Sequence, residues 1–370
     1  MRALIDASPL LLRSAGVKNY LYHWLVHLRR QAGGDRIDAF PRLGRLGPLT
    51  HERSVLSPAA TLPRLAFLHF LNIRFNPAIG LVARGYDVVH VTNQLRHPVR
   101  GARVTATVHD LTAALLPELH TPGNVQADAR FTDHVLRRAR GLIAVSESTR
   151  RDALRLLDLA PERIRVIYSG VDPRFAQAGP EAARETAQRL GLHKPFVLFL
   201  GTVEPRKNLD RLLDAWQALA PSLREEFELV VAGPAGWAAE ATLARLRAVR
   251  YLGYVAESDL PALTRAATAF AYPSLYEGFG FPVAQAMAAG VPVLTSNVSS
   301  LPEVAGEAGV LVDPLSTGEI RAGLDRLLTS PSLRAALGAA GRERAARLFR
   351  WEDCARRSLE FLREVAGAGN

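Results

Sequence analysis

The chain has 370 residues, 48% of them hydrophobic and 22% charged, with a formal net charge of +10 and a single cysteine, Cys354. The length exceeds one ordinary domain and points to two, each with a real core. One cysteine excludes a disulfide framework and fits a reducing compartment, and no window of about 18 uncharged apolar residues is present to form a membrane-spanning helix.

The opening "MRALIDASPLL" is too short, and too acidic at Asp6, to read as a signal peptide. It reads instead as a first strand over 3–5. Further short apolar runs follow at 88–90, 103–108, 142–145 and 165–167. A second set lies at 196–200, 228–232, 269–272, 292–295 and 309–312. Between them, segments such as 18–30, 125–140, 147–157, 208–220, 237–248, 280–289 and 317–329 repeat apolar residues at three- and four-residue steps, as amphipathic helices do. Repeated strand–helix alternation predicts parallel sheets with helices on both faces, and two sets predict two doubly wound α/β domains. Gly170, Pro173, Gly179 and Pro180 punctuate the boundary. The expected division is a first domain over 1–172, a second over 173–349 and a final amphipathic helix over 350–370.

Open parallel sheets bind ligands outside the carboxyl ends of their strands, so the loops after strands carry the functional signal. In "FVLFLGTVEPRKNLDRLLDAW" a strand ends at Leu200 and Gly201 allows a tight turn and close approach of a ligand. Asn208 is a candidate helix cap, and Arg206 and Lys207 beside it supply charge and donors suited to a diphosphate. In "AFAYPSLYEGFGFPVAQAMAAGVPVL" a strand leads into a turn containing Gly278, Phe279 and Gly280. Glu277 sits in that turn, where it could accept hydrogen bonds from sugar hydroxyls, and the neighbouring amides aim at the same point. Gln285 falls on the following helix, which Gly290 closes and Pro292 prevents from continuing. Ser148 is a plausible cap for the helix over 147–157.

These stretches, with "LPEVAGEAGVLVDP" and the closing "FRWEDCARRSLEFLREV", resemble the retaining glycosyltransferases of family 4. The resemblance covers essentially the whole chain, strongly over 196–315 and more loosely before 100. It implies the GT-B fold: two doubly wound Rossmann-like domains facing a cleft, with the C-terminal helix packing back toward the first. That family carries two glutamates separated by seven residues. Glu277 matches the first, and Gln285 stands at the second. The resemblance implies that Arg206 and Lys207 hold the donor diphosphate, Glu277 contacts the donor sugar, and the amides at Gly278, Phe279 and Gly280 bind sugar and phosphate. Gln285 would meet the nucleotide ribose. Gly16, in "RSAGVKNYLYHWLVHLRR", would belong to a loop that approaches donor and acceptor, although one glycine after Ser14 and Ala15 replaces the adjacent pair common in the family. His109, at a strand end in "TATVHDLTAALLPE", would face the donor sugar.

The expected activity is therefore retaining transfer of a hexose from a nucleotide diphosphate sugar to a glycan or lipid-linked acceptor in bacterial surface polysaccharide biosynthesis. GDP-mannose is the first expectation for the donor and a UDP-sugar such as UDP-glucose the second. No cofactor or metal is expected. A non-catalytic nucleotide-sugar binding protein and an epimerase on the same fold remain as alternatives.

The charge is unevenly placed. Residues 1–170 hold 24 Lys and Arg against 13 Asp and Glu, or +11, and residues 171–370 hold 22 against 23, or −1. An Arg-rich composition with only Lys18, Lys194 and Lys207 as lysines reflects base-composition bias in part. Bias does not place the excess in one half. Residues 62–84 combine aromatics with Arg64, Arg74 and Arg84, and "HVLRRARG" adds Arg137, Arg138 and Arg140. They read either as core packing or as a surface for an anionic membrane or lipid-linked acceptor. The expected location is cytoplasmic, with peripheral contact at the inner face of the cell membrane. No nucleic-acid motif accompanies the charge, and nucleic acid is not expected as a partner.

Overall fold

The computed structural model describes residues 1–14, 16–44, 46–72, 78–92, 94–95, 99 and 101–367. Ala15 and Arg74 of the segments above lie outside them. The chain divides into two compact units, 1–170 together with 351–370, and 171–350.

The first unit is built on a six-stranded sheet of β1 (Arg2–Asp6), β2 (Arg36–Phe40), β3 (Val88–Val91), β4 (Arg103–Val108), β5 (Gly141–Ala144) and β6 (Ile164–Val166). Its order is β2-β1-β3-β4-β5-β6, and every pairing is parallel. The central strands are buried on both faces, as in Val88–Val91, because helical crossovers cover both sides of a parallel sheet. Helix α1 (Gly16–Gln31) follows β1. The C-terminal helix Trp351–Ala366 belongs to this unit. Its Ser358 Oγ accepts a 2.9 Å hydrogen bond from Trp24 Nε1 of α1, and its Arg363 pairs with Asp35 at 2.8 Å. The helix also buries Cys354, and burial pushes that thiol up to about 12, far from the range of a reactive thiolate.

The second unit has β7 (Phe196–Leu200), β8 (Glu228–Ala232), β9 (Arg250–Gly253), β10 (Ala269–Tyr272), β11 (Val293–Ser296) and β12 (Gly309–Val312). The order is β12-β11-β10-β7-β8-β9, again all parallel. Strand order reverses between β1 and β3 in the first sheet and between β7 and β10 in the second. Such a reversal opens a crevice at the carboxyl ends of the two strands.

Both sheets are the doubly wound α/β architecture expected from the alternation of strand and helix patterns. Two strands were not legible in the sequence, β2 and β9. Each lies at a sheet edge and carries charge, Arg36 and Asp38 in one and Arg250 in the other, so neither shows a continuous apolar run. The cap of the helix Glu147–Leu157 is Ser146, whose side chain accepts from Thr149 N at 3.0 Å. Ser148 is inside the helix, which corrects the sequence expectation.

Candidate active site

The candidate residues fall in both units. Gly201, Arg206, Lys207, Glu277, Gly278, Phe279, Gly280 and Gln285 lie in the second, and Gly16 and His109 in the first.

In the second unit the loops after β7 and β10 meet at the strand-order reversal. After β7 the chain turns through Pro205–Lys207, and Asn208 then adopts a left-handed conformation before the helix Leu209–Gln217. Asn208 was expected to cap that helix, but it makes no side-chain capping bond. Its Nδ2 instead donates to the carbonyls of Pro273 at 2.9 Å and Pro314 at 2.7 Å, tying three loops together. Leu275 N donates to Arg206 O at 2.8 Å. The two loops are therefore stitched along their backbones.

That stitching brings Glu277 against both cations. Its Oε1 accepts from Lys207 Nζ at 2.6 Å, Ser274 Oγ at 2.7 Å and Tyr272 OH at 3.0 Å, and its Oε2 lies 3.0 Å from Arg206 Nη1. Oε1 is saturated by three donors, whereas Oε2 retains acceptor capacity. The backbone is fixed as well: Glu277 N donates to Ser299 Oγ at 3.0 Å, and Ser300 Oγ donates to Glu277 O at 2.9 Å.

A further carboxylate, not singled out in the sequence, completes the cluster. Glu204 Oε1 lies 2.8 Å from Arg206 Nη2 and 4.0 Å from Lys207 Nζ, and its side chain is 5% exposed. Its signal was present in "EPRKN": an acid two positions before Arg206, with Pro205 starting the tight turn that folds it back. Two carboxylates thus balance two cations in a nearly dry site. Burial alone would raise the Glu277 carboxyl, but the Arg206 and Lys207 charges and the Lys207 and Ser274 hydrogen bonds hold it down to about 2. Burial, and then the neighbouring Glu277 charge, push the Tyr272 hydroxyl well above its usual range, so it stays a donor. Glu204→Gln removes one charged partner while keeping the shape. It is expected to cost about 1–3 kcal/mol of stability in urea unfolding, the range for a charged buried hydrogen bond. An unchanged midpoint would detach Glu204 from the Arg206 guanidinium.

The glycines differ from one another. Gly280 has φ +93°, and a Cβ there would come within 2.7 Å of Leu301, so the turn into the helix Phe281–Ala288 requires glycine. Gly201 is not left-handed, and a Cβ there would meet the Tyr272 ring at an ordinary 3.5 Å. The close approach in this region is made by Gly233, whose Cβ would collide with the Gly201 carbonyl oxygen. Phe279 is an anchor: its buried ring packs edge-on against Phe281 at 5.2 Å and Phe349 at 5.3 Å, which holds the Gly278–Gly280 backbone in place. Gln285 lies half-buried on the helix that this turn starts.

In the first unit, Gly16 begins α1. A Cβ at Gly16 would meet nothing within 4 Å among the described residues, so packing does not demand glycine there. His109 follows β4 and packs edge-on against Tyr20 at 4.9 Å. Burial lowers its pKa to about 4 against the opposing pull of Asp110, which leaves the ring neutral at pH 7.

Comparison with known proteins places the chain in a family. Residues 14–175 match the family described as Glycosyltransferase Family 4, and residues 183–344 match Glycosyl transferases group 1. The O-antigen chain mannosyltransferase B of Escherichia coli is 35% identical over 269 residues, 71% of this chain and 70% of that protein. Among solved structures, sucrose-phosphate synthase from Thermosynechococcus elongatus superposes with a TM-score of 0.75 at 21% identity, covering 99% of both chains. Anabaena HepE in complex with UDP-glucose gives 0.72 at 18% identity, covering 98% of this chain and all of that one. The two structures share the fold, and the mannosyltransferase shares the sequence over more than two thirds of each chain. An epimerase and a non-catalytic binding protein therefore give way to a transferase: the chain belongs to glycosyltransferase family 4 and is a glycosyltransferase of the GT-B fold.

Proposed function

We propose that the chain transfers a mannosyl group, with retention of anomeric configuration, from a nucleoside diphosphate sugar to a glycan or lipid-linked acceptor in surface polysaccharide biosynthesis. The observation that carries the reading is the pair Arg206 and Lys207, fixed by Glu277 and Glu204 where the strand order reverses. As the bond from the sugar to its diphosphate breaks, negative charge grows on the leaving phosphate. Two prepositioned cations in a dry site stabilise that charge without reorganising. Oε2 of Glu277 has capacity left for a sugar hydroxyl, and the Gly278–Gly280 amides lie on the same turn. His109 would act as a neutral hydrogen-bonding group toward the sugar, Gly16 would serve in the loop that approaches donor and acceptor, and Gly201 would line the phosphate turn. The charge on the diphosphate is assigned to protein cations, with no metal in the reading.

GDP-mannose is favoured over a UDP-sugar because the E. coli relative is named a mannosyltransferase. The UDP-glucose complex of HepE keeps the second donor in view. A thermal-shift screen of nucleotide sugars tests the choice, since a ligand bound only by the folded state raises the melting temperature. A shift with GDP-mannose that exceeds the shift with GDP alone is expected. A shift confined to UDP-sugars would replace the donor. Proton NMR of the product then reads the anomeric configuration, and inversion would remove the retaining mechanism.

Gln285→Glu tests the ribose contact. A carboxamide oxygen already accepts from a ribose hydroxyl, so restoring a carboxylate is expected to change donor affinity by less than about tenfold. Activity appearing only in the Glu variant would show that the native amide silences this copy.

A further inference from the structure

We infer that Ser299 is a positioning residue for the donor turn: its left-handed backbone aims its hydroxyl at the amide of Glu277 and so sets the carboxylate that meets the sugar. The inference rests on the role given to Glu277 under the proposed function. In the loop after β11, Ser299 has φ +56°. Among the described residues the non-glycine positions of positive φ are Asp158, Asn208, Ala238 and Ser299. Asp158 closes a helix, and Asn208 has the residue type that tolerates this conformation well. Serine has no such preference, and glycine would take the same conformation without steric cost. Strain of this kind persists only where the surrounding structure imposes it, and it clusters at functional sites.

What serine supplies and glycine does not is the hydroxyl. Ser299 Oγ accepts from Glu277 N at 3.0 Å, and Ser300 Oγ donates to Glu277 O at 2.9 Å. Two adjacent serines thus hold the two backbone ends of one residue. In a strand adjacent side chains point to opposite faces, and in a helix they diverge by about 100°. The left-handed turn at Ser299 lets both reach Glu277. The next residue completes the mould: Leu301 is fully buried and lies where a Cβ at Gly280 would come within 2.7 Å of it. At the end of β11, Ser296 Oγ donates to Ser274 O at 2.6 Å. The β11 loop therefore fixes the backbone of the donor turn, while Arg206 and Lys207 hold the Glu277 carboxylate. Without the Ser299 acceptor the cations still grip the carboxylate, but the Glu277 N–H is released, and the Gly278–Gly280 amides are free to turn with it. Catalysis responds steeply to such placement, since a shift on the order of 1 Å can cost about a hundredfold.

Ser299→Gly and Ser299→Ala test the role, with Lys207→Ala as the reference. Urea unfolding reads the strain. The glycine variant is expected to keep the wild-type midpoint, because release of the left-handed strain offsets the lost hydrogen bond. The alanine variant keeps the strain, leaves the Glu277 amide unpaired and should fall below both. Turnover of GDP-mannose, or of UDP-glucose if the donor screen selects it, reads the positioning. Both variants are expected to lower kcat by at least about tenfold. Affinity for GDP or UDP alone should stay within about threefold, because the diphosphate is held by Arg206 and Lys207 rather than by Glu277. Wild-type kcat in Ser299→Gly, with Lys207→Ala inactive, would overturn the inference and leave the proposed function standing. A loss of diphosphate affinity as large as the loss of turnover would also overturn it, since the site would merely have loosened. So would a glycine midpoint below the alanine one, which would mean that no strain is held at 299. Normal turnover in Lys207→Ala would remove the diphosphate reading itself, and the role of Ser299 with it.

Discussion

Replacing Lys207 or Arg206 by alanine is expected to lower kcat by at least about a hundredfold, because under the proposed function each side chain would meet charge that grows only as the diphosphate leaves. A loss of that size corresponds to about 2.7 kcal/mol of transition-state stabilisation. The effect should fall mainly on kcat rather than on KM, since an interaction strengthened in the transition state affects the two unequally. Lys207 offers the cleaner measurement. Its ammonium gives a single 2.6 Å bond to Glu277, whereas Arg206 also braces Glu204 and the Tyr276 carbonyl at 2.8 Å each. Loss of Arg206 therefore mixes lost catalysis with a loosened loop. Turnover within fivefold of wild type in Lys207→Ala, with the melting temperature preserved, would remove the diphosphate assignment.

Glu277 predicts a second large effect, one that is structural as well as catalytic. Its carboxyl is held at about 2 in the folded chain, against an ordinary value of 4.5. A depressed carboxylate adds stability above the ordinary value, and that stability is lost as pH falls from about 4.5 toward 2. The shift is worth on the order of 3 kcal/mol at neutral pH. Glu277→Gln should therefore unfold at lower urea than wild type at pH 7, and the gap should close as the pH approaches 2. A gap of constant size on acidification would rule out the paired carboxylate as its source. Glu277→Ala should be worse than Gln, because it leaves two buried cations facing a void, and breaking a buried pair costs about 3–5 kcal/mol. Both variants should lose turnover. Only the Gln variant, if folded, separates the loss of the carboxylate's chemistry from collapse of the loop.

The helix caps and edge strands show where local reading stops. Asn208 has the residue type of a cap and stands at the start of a helix, yet its amide is drawn to Pro273 and Pro314, carbonyls that no local pattern places nearby. Strands β2 and β9 failed for a related reason. An edge strand has one neighbour and a wet side, so charged residues interrupt the apolar run by which a buried parallel strand is recognised.

By itself the sequence determined the strand–helix alternation and the two-sheet α/β class, and it singled out Arg206, Lys207 and Glu277 and their loops as a candidate site. These are local signals, set by the periodicity of burial and by glycine and proline at chain turns. Tertiary structure alone decided that Glu277 closes on cations 70 positions earlier in the chain, because that pairing depends on β10 lying beside β7 in the sheet. It also made Glu204 the second carboxylate of the candidate site. For the helix Pro58–Leu71 it left the aromatics facing water rather than the core. An apolar residue is equally apolar on either side of a helix, and only the position of the neighbouring elements settles which side is covered.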